Sequence, residues 1–245
     1  VIESFFLPDG QHILSASEGG TITVWDGSVS RELLTVTDHG DWVWSSQFSP
    51  DGRWLATAGF DLTTQVVDVT TGELIFRTPE GAHTDWINRA VFSPDGERLA
   101  TASNDGTVKV WDVRRGRELL TLTGHAYVED AFPYQGVGHV LYRPDGDTLL
   151  TSGGDGTVRL WDSQTGEQLW QLQAHEQVIT YLGLSQDGTR LATVGFDAQA
   201  KIWMLGDGSR PPQLALTISL SGQERGTWGA AFSPDGTRLA VTERD

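Results

Sequence analysis

Short runs rich in Val, Ile, Leu, Thr and Trp alternate along this chain with turns built from Pro, Asp and Gly. Residues 83–112, HTDWINRAVFSPDGERLATASNDGTVKVWD, show the unit most clearly. A run over 87–93 stops at Pro94-Asp95-Gly96, a second over 99–103 stops at Asp105-Gly106, and a third over 107–111 follows. Pro presets φ for the first central position of a type I turn, and Asp-Gly suits the left-handed backbone of a two-residue hairpin. β-Branched and aromatic residues between such turns predict strands rather than helices.

The unit recurs. Pro-Asp-Gly, or its near copy Gln-Asp-Gly, starts at Pro8, Pro50, Pro94, Pro144, Gln186 and Pro234, at intervals of 42, 44, 50, 42 and 48 residues. Trp-Asp pairs keep phase with it at Trp25, Trp111 and Trp161. A fourth apolar run follows each third one, over 33–37, 74–77, 119–123, 169–173 and 214–220. Four strands repeating with a period in the low forties are the signature of a propeller blade. The innermost run has apolar or small positions at Ile87, Ala90 and Phe92, at Val43, Ser46 and Phe48, and at Ile179, Leu182 and Leu184. Gaps of three and then two break the strict alternation of a strand, so each innermost strand is expected to carry a β-bulge.

Over essentially all of its 245 residues the chain resembles the WD-repeat β-propeller family, on the strength of the phased turns, Trp-Asp pairs and His positions. The resemblance implies an all-β fold: five complete four-stranded blades over about 1–41, 42–85, 86–125, 126–174 and 175–222, with half of a sixth over 223–245. It also implies a ring that more often closes with seven blades, so the natural protein is expected to continue beyond both ends and to carry other domains. The repeat argues for a single propeller body. Two insertions interrupt the phase. His stands 11 residues before the turn in three repeats but 19 from His125 to Pro144, which places extra residues within 126–138, AYVEDAFPYQGVG. The second is GDGSRPP at 206–212, expected on the opposite rim.

In this family a His, a strand-two hydroxyl, the Asp of the hairpin turn and the strand-three Trp form a buried hydrogen-bonded chain. The matching residues are His83, Thr101, Asp105 and Trp111 in blade three; His125, Thr151, Asp155 and Trp161 in blade four; His175, Thr193, Asp197 and Trp203 in blade five. Blade two keeps His39, Thr57 and Asp61 but has Val67 in place of Trp; blade one has Ser15 and Trp25, with Gly19 for Asp. Blade six has Gln223 and Val241 at the His and hydroxyl positions. Ser/Thr, His and Asp together invite a nucleophilic reading, but a pattern repeated blade after blade on strands, with no oxyanion hole, argues for structure. No catalytic residue, metal site or cofactor is expected. The four network His belong to different blades, too far apart to share an ion. His12 and His139 are expected at the surface.

Family geometry aims the third and fifth residues after each His, and the residue before each turn Asp, at the top rim of the channel, where ligands commonly bind. The residues so placed include Trp42, Trp44, Phe60, Trp86, Asn88, Asn104, Thr180, Phe196, Trp228 and Arg244, expected to contact a protein or peptide. Large aromatics there cost solubility unless covered, and they are enriched at interface hot spots. The alternatives are that they pack on one another or beneath the 126–138 insertion. Gly136, Gly138 and Gly154 in blade four would leave a low gap admitting an extended peptide.

Charge alters this picture little. The chain carries 33 acidic and 17 basic residues, a net −16. Fifteen of the acids sit at repeat-defined turn positions, exemplified by Asp51, Asp61 and Asp68, which favours an architectural origin. So acidic a surface disfavours nucleic acid, which needs Lys and Arg against phosphate. No apolar run would cross a bilayer, and no membrane partner is expected. The absence of Cys suits a reducing, cytoplasmic setting. Three functions remain in contention: a noncatalytic interaction or sensing module using the rim, an architectural scaffold using blade edges and sides, and, least supported, an enzyme at the channel mouth. The Phe-Ser-Pro-Asp-Gly repeats resemble those of prokaryotic multidomain signalling ATPases and kinases.

Overall fold

The computed structural model describes residues 3–6, 12–16, 21–29, 31–36, 39–220 and 229–242. They form antiparallel sheets joined in chain order. Sheet one is β1 (Glu3–Phe6), β2 (His12–Ala16), β3 (Ile22–Asp26) and β4 (Arg31–Val36). Sheet two is β5 (Val43–Phe48), β6 (Trp54–Gly59), β7 (Thr64–Asp68) and β8 (Leu74–Arg77). Sheet three is β9 (Ile87–Phe92), β10 (Arg98–Ser103), β11 (Thr107–Asp112) and β12 (Arg117–Thr123). Sheet four is β13 (Val137–Tyr142), β14 (Thr148–Gly153), β15 (Thr157–Asp162) and β16 (Gln168–Gln173). Sheet five is β17 (Ile179–Leu184), β18 (Arg190–Gly195), β19 (Gln199–Met204) and β20 (Gln213–Ser219). A two-stranded pair, β21 (Gly229–Phe232) and β22 (Leu239–Thr242), follows.

The expected bulge is present on the innermost strand of four sheets. The register with the second strand skips Trp44, Asn88, Gly138 and Thr180. An extra residue turns the strand locally and re-aims the side chain that carries it. A second bulge, not anticipated from the sequence, recurs where the fourth strand meets the third, skipping Leu33, Ile75, Leu169 and Ala215.

The Ser-Pro-Asp-Gly turns close alike. The Ser49 hydroxyl donates to Asp51 at 2.6 Å, the Trp54 amide donates to the Ser49 hydroxyl at 2.9 Å, and Gly52 takes φ 71°. These bonds hold Asp51 below the usual carboxylate range and Asp187 and Asp235 at about 2. Asp68, Asp112 and Asp162 likewise cap the amides of the turn after the third strand. These acids therefore serve turns.

Two compact units emerge, 1–103 with 109–120, and 104–108 with 121–245. In the first, the faces of sheets two and three meet through Trp54, Ala56, Val66 and Phe76 against Ile87, Ala90, Phe92 and Trp111. In the second, sheets four and five meet through Leu150, Leu160 and Trp170 against Ile179, Leu182, Leu191 and Trp203. The second strands β6, β10, β14 and β18 are almost wholly buried and the outer strand β20 almost wholly exposed. Ser46, expected in the core, is only half-buried, whereas Ser45 is buried, its hydroxyl accepting the Ala90 amide of the neighbouring sheet at 3.2 Å.

Candidate protein-interaction site

The seam that holds the sheets fixes where a site can lie. In sheet five Trp203 Nε1–H donates to Thr193 Oγ1 at 2.9 Å, the same oxygen lies 2.8 Å from His175 Nε2, and His175 Nδ1 lies 2.9 Å from Asp197. Sheet four repeats this with Trp161, Thr151, His125 and Asp155 at 2.9, 2.7 and 3.1 Å. Sheet three brings together Trp111, Thr101 and His83 at 3.0 and 2.8 Å, while Asp105 accepts from the Thr107 amide and hydroxyl. Sheet two has His39 between Thr57 and Asp61 at 2.8 and 2.9 Å, and sheet one has Trp25 on Ser15 at 2.9 Å.

The carboxylate fixes the tautomer. Because an ionised Asp can only accept, Nδ1–H of the neutral ring donates to it, Nε2 accepts from the Thr hydroxyl, and the Thr oxygen accepts from the indole where one is present. Burial by itself would raise Asp61, but the hydrogen bond and charge of His39 and the amides of Thr63 and Gly40 outweigh it and hold Asp61 at about 2. Asp155 and Asp197 are lowered in the same way. Burial pushes His125 below 6.5, and Arg159 adds to this against the pull of Asp155. Thr101, Thr151 and Thr193 are fully buried and doubly engaged, so each is closed to a substrate carbonyl. Among the described residues no group of three or more His, Asp or Glu is placed to hold a metal ion.

The expected rim residues divide. In the first unit Phe60 lies at the centre of a stack. Its ring is 4.1 Å from that of Trp86 at 6°, 5.5 Å from Trp44 and 5.9 Å from Trp42. Trp42 is 42% exposed, and the other three are half-buried. Gly59 makes the geometry possible: a Cβ there would come within 2.0 Å of the Trp42 carbonyl, which accepts the Phe60 amide at 2.9 Å. Asp41 and Asp85 each accept the next residue's amide at 2.7 Å, fixing Trp42 and Trp86 alike. These two Asp-Trp pairs were visible in the sequence at matching positions, but their capping role was not. Asn88, on the bulge of β9, is buried rather than presented.

In the second unit the expectation of an open rim is corrected. Phe196 is 3% exposed, packed with Ala131, Tyr134 and Val178 and with Val128 beside them. Asn104 is fully buried, donating to Pro133 O at 2.8 Å and Gln135 Oε1 at 3.1 Å. Thr180 is buried, with its hydroxyl on Val194 O at 3.2 Å. All three are covered or internally spent and are not presented to a partner. The glycine gap of blade four is filled by the insertion itself: a Cβ on Gly154 would lie 2.2 Å from Tyr134 O, and one on Gly138 2.6 Å from the Tyr134 ring. His139, expected at the surface, is buried edge-on against Tyr134 at 5.0 Å. The 206–212 loop meets Arg143 beyond the far end of β13 from the insertion. Trp228 and Arg244, with Gly19, Gln223 and Gly226, lie outside the described residues, as does the side chain of His12.

Repeating four-stranded antiparallel sheets, three of them locked by a full His–Thr–Trp seam and two by part of one, are propeller blades of the interaction-scaffold class. The chain belongs to the WD-repeat family: the family described as WD domain, G-beta repeat matches residues 2–26, 30–68, 75–112, 116–162 and 166–204. A 71-residue stretch is 37% identical to Actin-interacting protein 1 of Drosophila melanogaster, covering 29% of this chain and 12% of that protein. Nuclear distribution protein PAC1 of Coccidioides posadasii is 38% identical over 64 residues, 26% of this chain and 14% of that protein. The guanine nucleotide-binding protein subunit beta of Lymnaea stagnalis is 28% identical over 65 residues, 26% and 19% respectively. The matched stretch thus spans less than a fifth of each of these three relatives. The general role shared across the family is protein interaction or scaffolding.

Proposed function

We propose that this chain is a noncatalytic interaction module that captures an extended protein or peptide segment on the platform formed by Trp42, Trp44, Phe60 and Trp86. The carrying observation is the stack on Phe60, with Trp42 at its open side. Rigid aromatics supply large contact area at low entropic cost, and a pre-stacked group loses little freedom on binding. The resemblance of the repeats supports a place within a larger signalling polypeptide, where the module would report capture to another domain.

A random-peptide display library panned against the whole chain tests the platform. Clones selected on the wild-type chain should lose at least about tenfold in affinity for Trp44→Ala/Phe60→Ala, about 1.4 kcal/mol or more. Selection of the same clones at equal strength by both chains refutes the site. A second reading has its own observation. Leu74, Leu169, Leu214 and Leu216 on the outer strands are 42–52% exposed. If partner crosslinks fall along these strands and spare the platform, the chain is a scaffold read from its sides.

A further inference from the structure

The turn between β11 and β12 departs from its counterparts. Sheet two makes it as Asp68-Val69-Thr70-Thr71-Gly72-Glu73 and sheet four as Asp162-Ser163-Gln164-Thr165-Gly166-Glu167; sheet three makes it as Asp112-Val113-Arg114-Arg115-Gly116-Arg117. The backbone is the same in all three. The Gly takes φ 74°, 75° and 62°, and its amide donates to the Asp carbonyl at 2.8, 2.9 and 2.9 Å. Thr, Gln and Glu therefore suffice to build this turn. Three arginines are a surplus over the architecture, in a chain where acids outnumber bases 33 to 17.

Their placement is ordered. Arg115 reaches Asp112 at 2.7 Å, taking the part that the Thr165 hydroxyl plays for Asp162 at 2.9 Å. Arg114 is exposed, with its guanidinium 5.2 Å from the centroid of the Trp54 ring. That contact holds the Arg114 side chain over the ring while the residue remains exposed. Arg117 is exposed on the other side of Gly116. With Arg98, Glu97, Asp112 and Leu119 they line a recess of about 440 Å³, four guanidinium groups against two carboxylates.

We propose that this recess docks an acidic protein segment, presenting two carboxylate side chains to Arg114 and Arg117. An Arg fork takes a carboxylate in two parallel hydrogen bonds, and the cation–π contact with Trp54 orders the Arg114 side chain in advance. The −16 charge of the chain selects the size of the ligand. Exposed charges act over a Debye length of about 8 Å at physiological salt, so a short acidic motif meets mainly the local arginines. A nucleic acid, with a charge every ~1.7 Å, would extend over the acidic surround. The lining Glu97 and Asp112 also favour a singly charged carboxylate over a phosphate dianion.

Fluorescence polarisation on the whole chain tests this, with a labelled Glu/Asp-rich peptide, its Gln/Asn counterpart and a phosphoserine peptide as probes. The variant Arg114→Thr/Arg115→Thr/Arg117→Glu reproduces the turn of sheet two and so retains the backbone. The acidic peptide should bind the wild-type chain, weaken as salt rises, and lose at least about tenfold, some 1.4 kcal/mol, on the variant. The Gln/Asn peptide should not bind. Equal binding by variant and wild type overturns the proposal. So does binding of the phosphoserine peptide alone, which would reassign the recess to phosphate. Trp44→Ala/Phe60→Ala should leave this binding intact, so its loss or survival is independent of the aromatic platform.

Discussion

The two units place the same repeat positions in opposite circumstances. In one, Phe60 before the turn Asp and Trp42 and Trp44 near the bulge stack on one another and keep an open side. In the other, Phe196 before its turn Asp is sealed by Tyr134 and Ala131 of an insertion, and Asn104 binds that insertion's backbone. Repeat phase therefore selects which side chains are candidates for contact, and whatever covers them decides which remain available. An insertion in sheet four converts a rim of candidates into an interior.

The strongest way to break that contrast is to remove the cover. Tyr134 is 7% exposed, so Tyr134→Ala should cost about 3 kcal/mol, by chemical denaturation, as large-to-small changes in cores do. Amides of 126–136 should then exchange faster and Phe196 become accessible. Trp42→Ala, in the open unit, should cost about 1 kcal/mol or less, since the ring is already partly in water. Equal costs would mean that the two rims do not differ as described.

The seams offer a second contrast. Thr193→Val leaves both the Trp203 indole and His175 Nε2 without a partner and should cost about 2–4 kcal/mol. Thr57→Val strands only His39, because Val67 stands where Trp would, and should cost about half as much. Denaturant midpoints with unchanged slopes give both numbers.

Acid should separate the units next. His125 is held below 6.5, so as pH falls from there the unfolded chain takes up a proton that the folded one resists, and sheet four loses stability first. Asp61 has its folded value lowered from 3.8 to about 2; its contribution is complete above 3.8 and is lost as pH falls toward 2. Hydrogen exchange at stepped pH should show residues 137–173 loosening before 43–77. Asp61→Asn should flatten only the strongly acid limb.

The smallest expected effect concerns backbone. Ala198 has φ 56° where Gly106 and Gly156 take 84° and 69° at the same turn position. Ala198→Gly should raise stability by up to about 1 kcal/mol, seen as a small increase in melting temperature, because left-handed backbone disfavours a Cβ. Leu62, at φ 64°, offers the same test in the other unit.

Much of this was legible in the residues. Pro94-Asp95-Gly96 and its copies marked the turns because φ preferences are local. The three-then-two spacing of Ile87, Ala90 and Phe92 gave away the bulge because side-chain alternation is a property of the strand itself. Trp203, Thr193 and His175 could be paired because the resemblance supplied the network and the repeat phase supplied the matching positions. The candidate site was less legible. Asn88, Thr180 and Phe196 sit at the right phase for a rim, and no local rule reports what packs over them. The 126–138 insertion advertised its length but not its destination.

What the sequence determined alone was therefore the repeating unit of strand, turn and bulge, fixed by backbone preference and short-range periodicity; the partners of each His came from the family resemblance. The tertiary structure decided availability. Burial is a sum over neighbours distant in sequence, so only the fold could show Phe196 covered, Phe60 stacked at an open side, and Arg114 resting on Trp54.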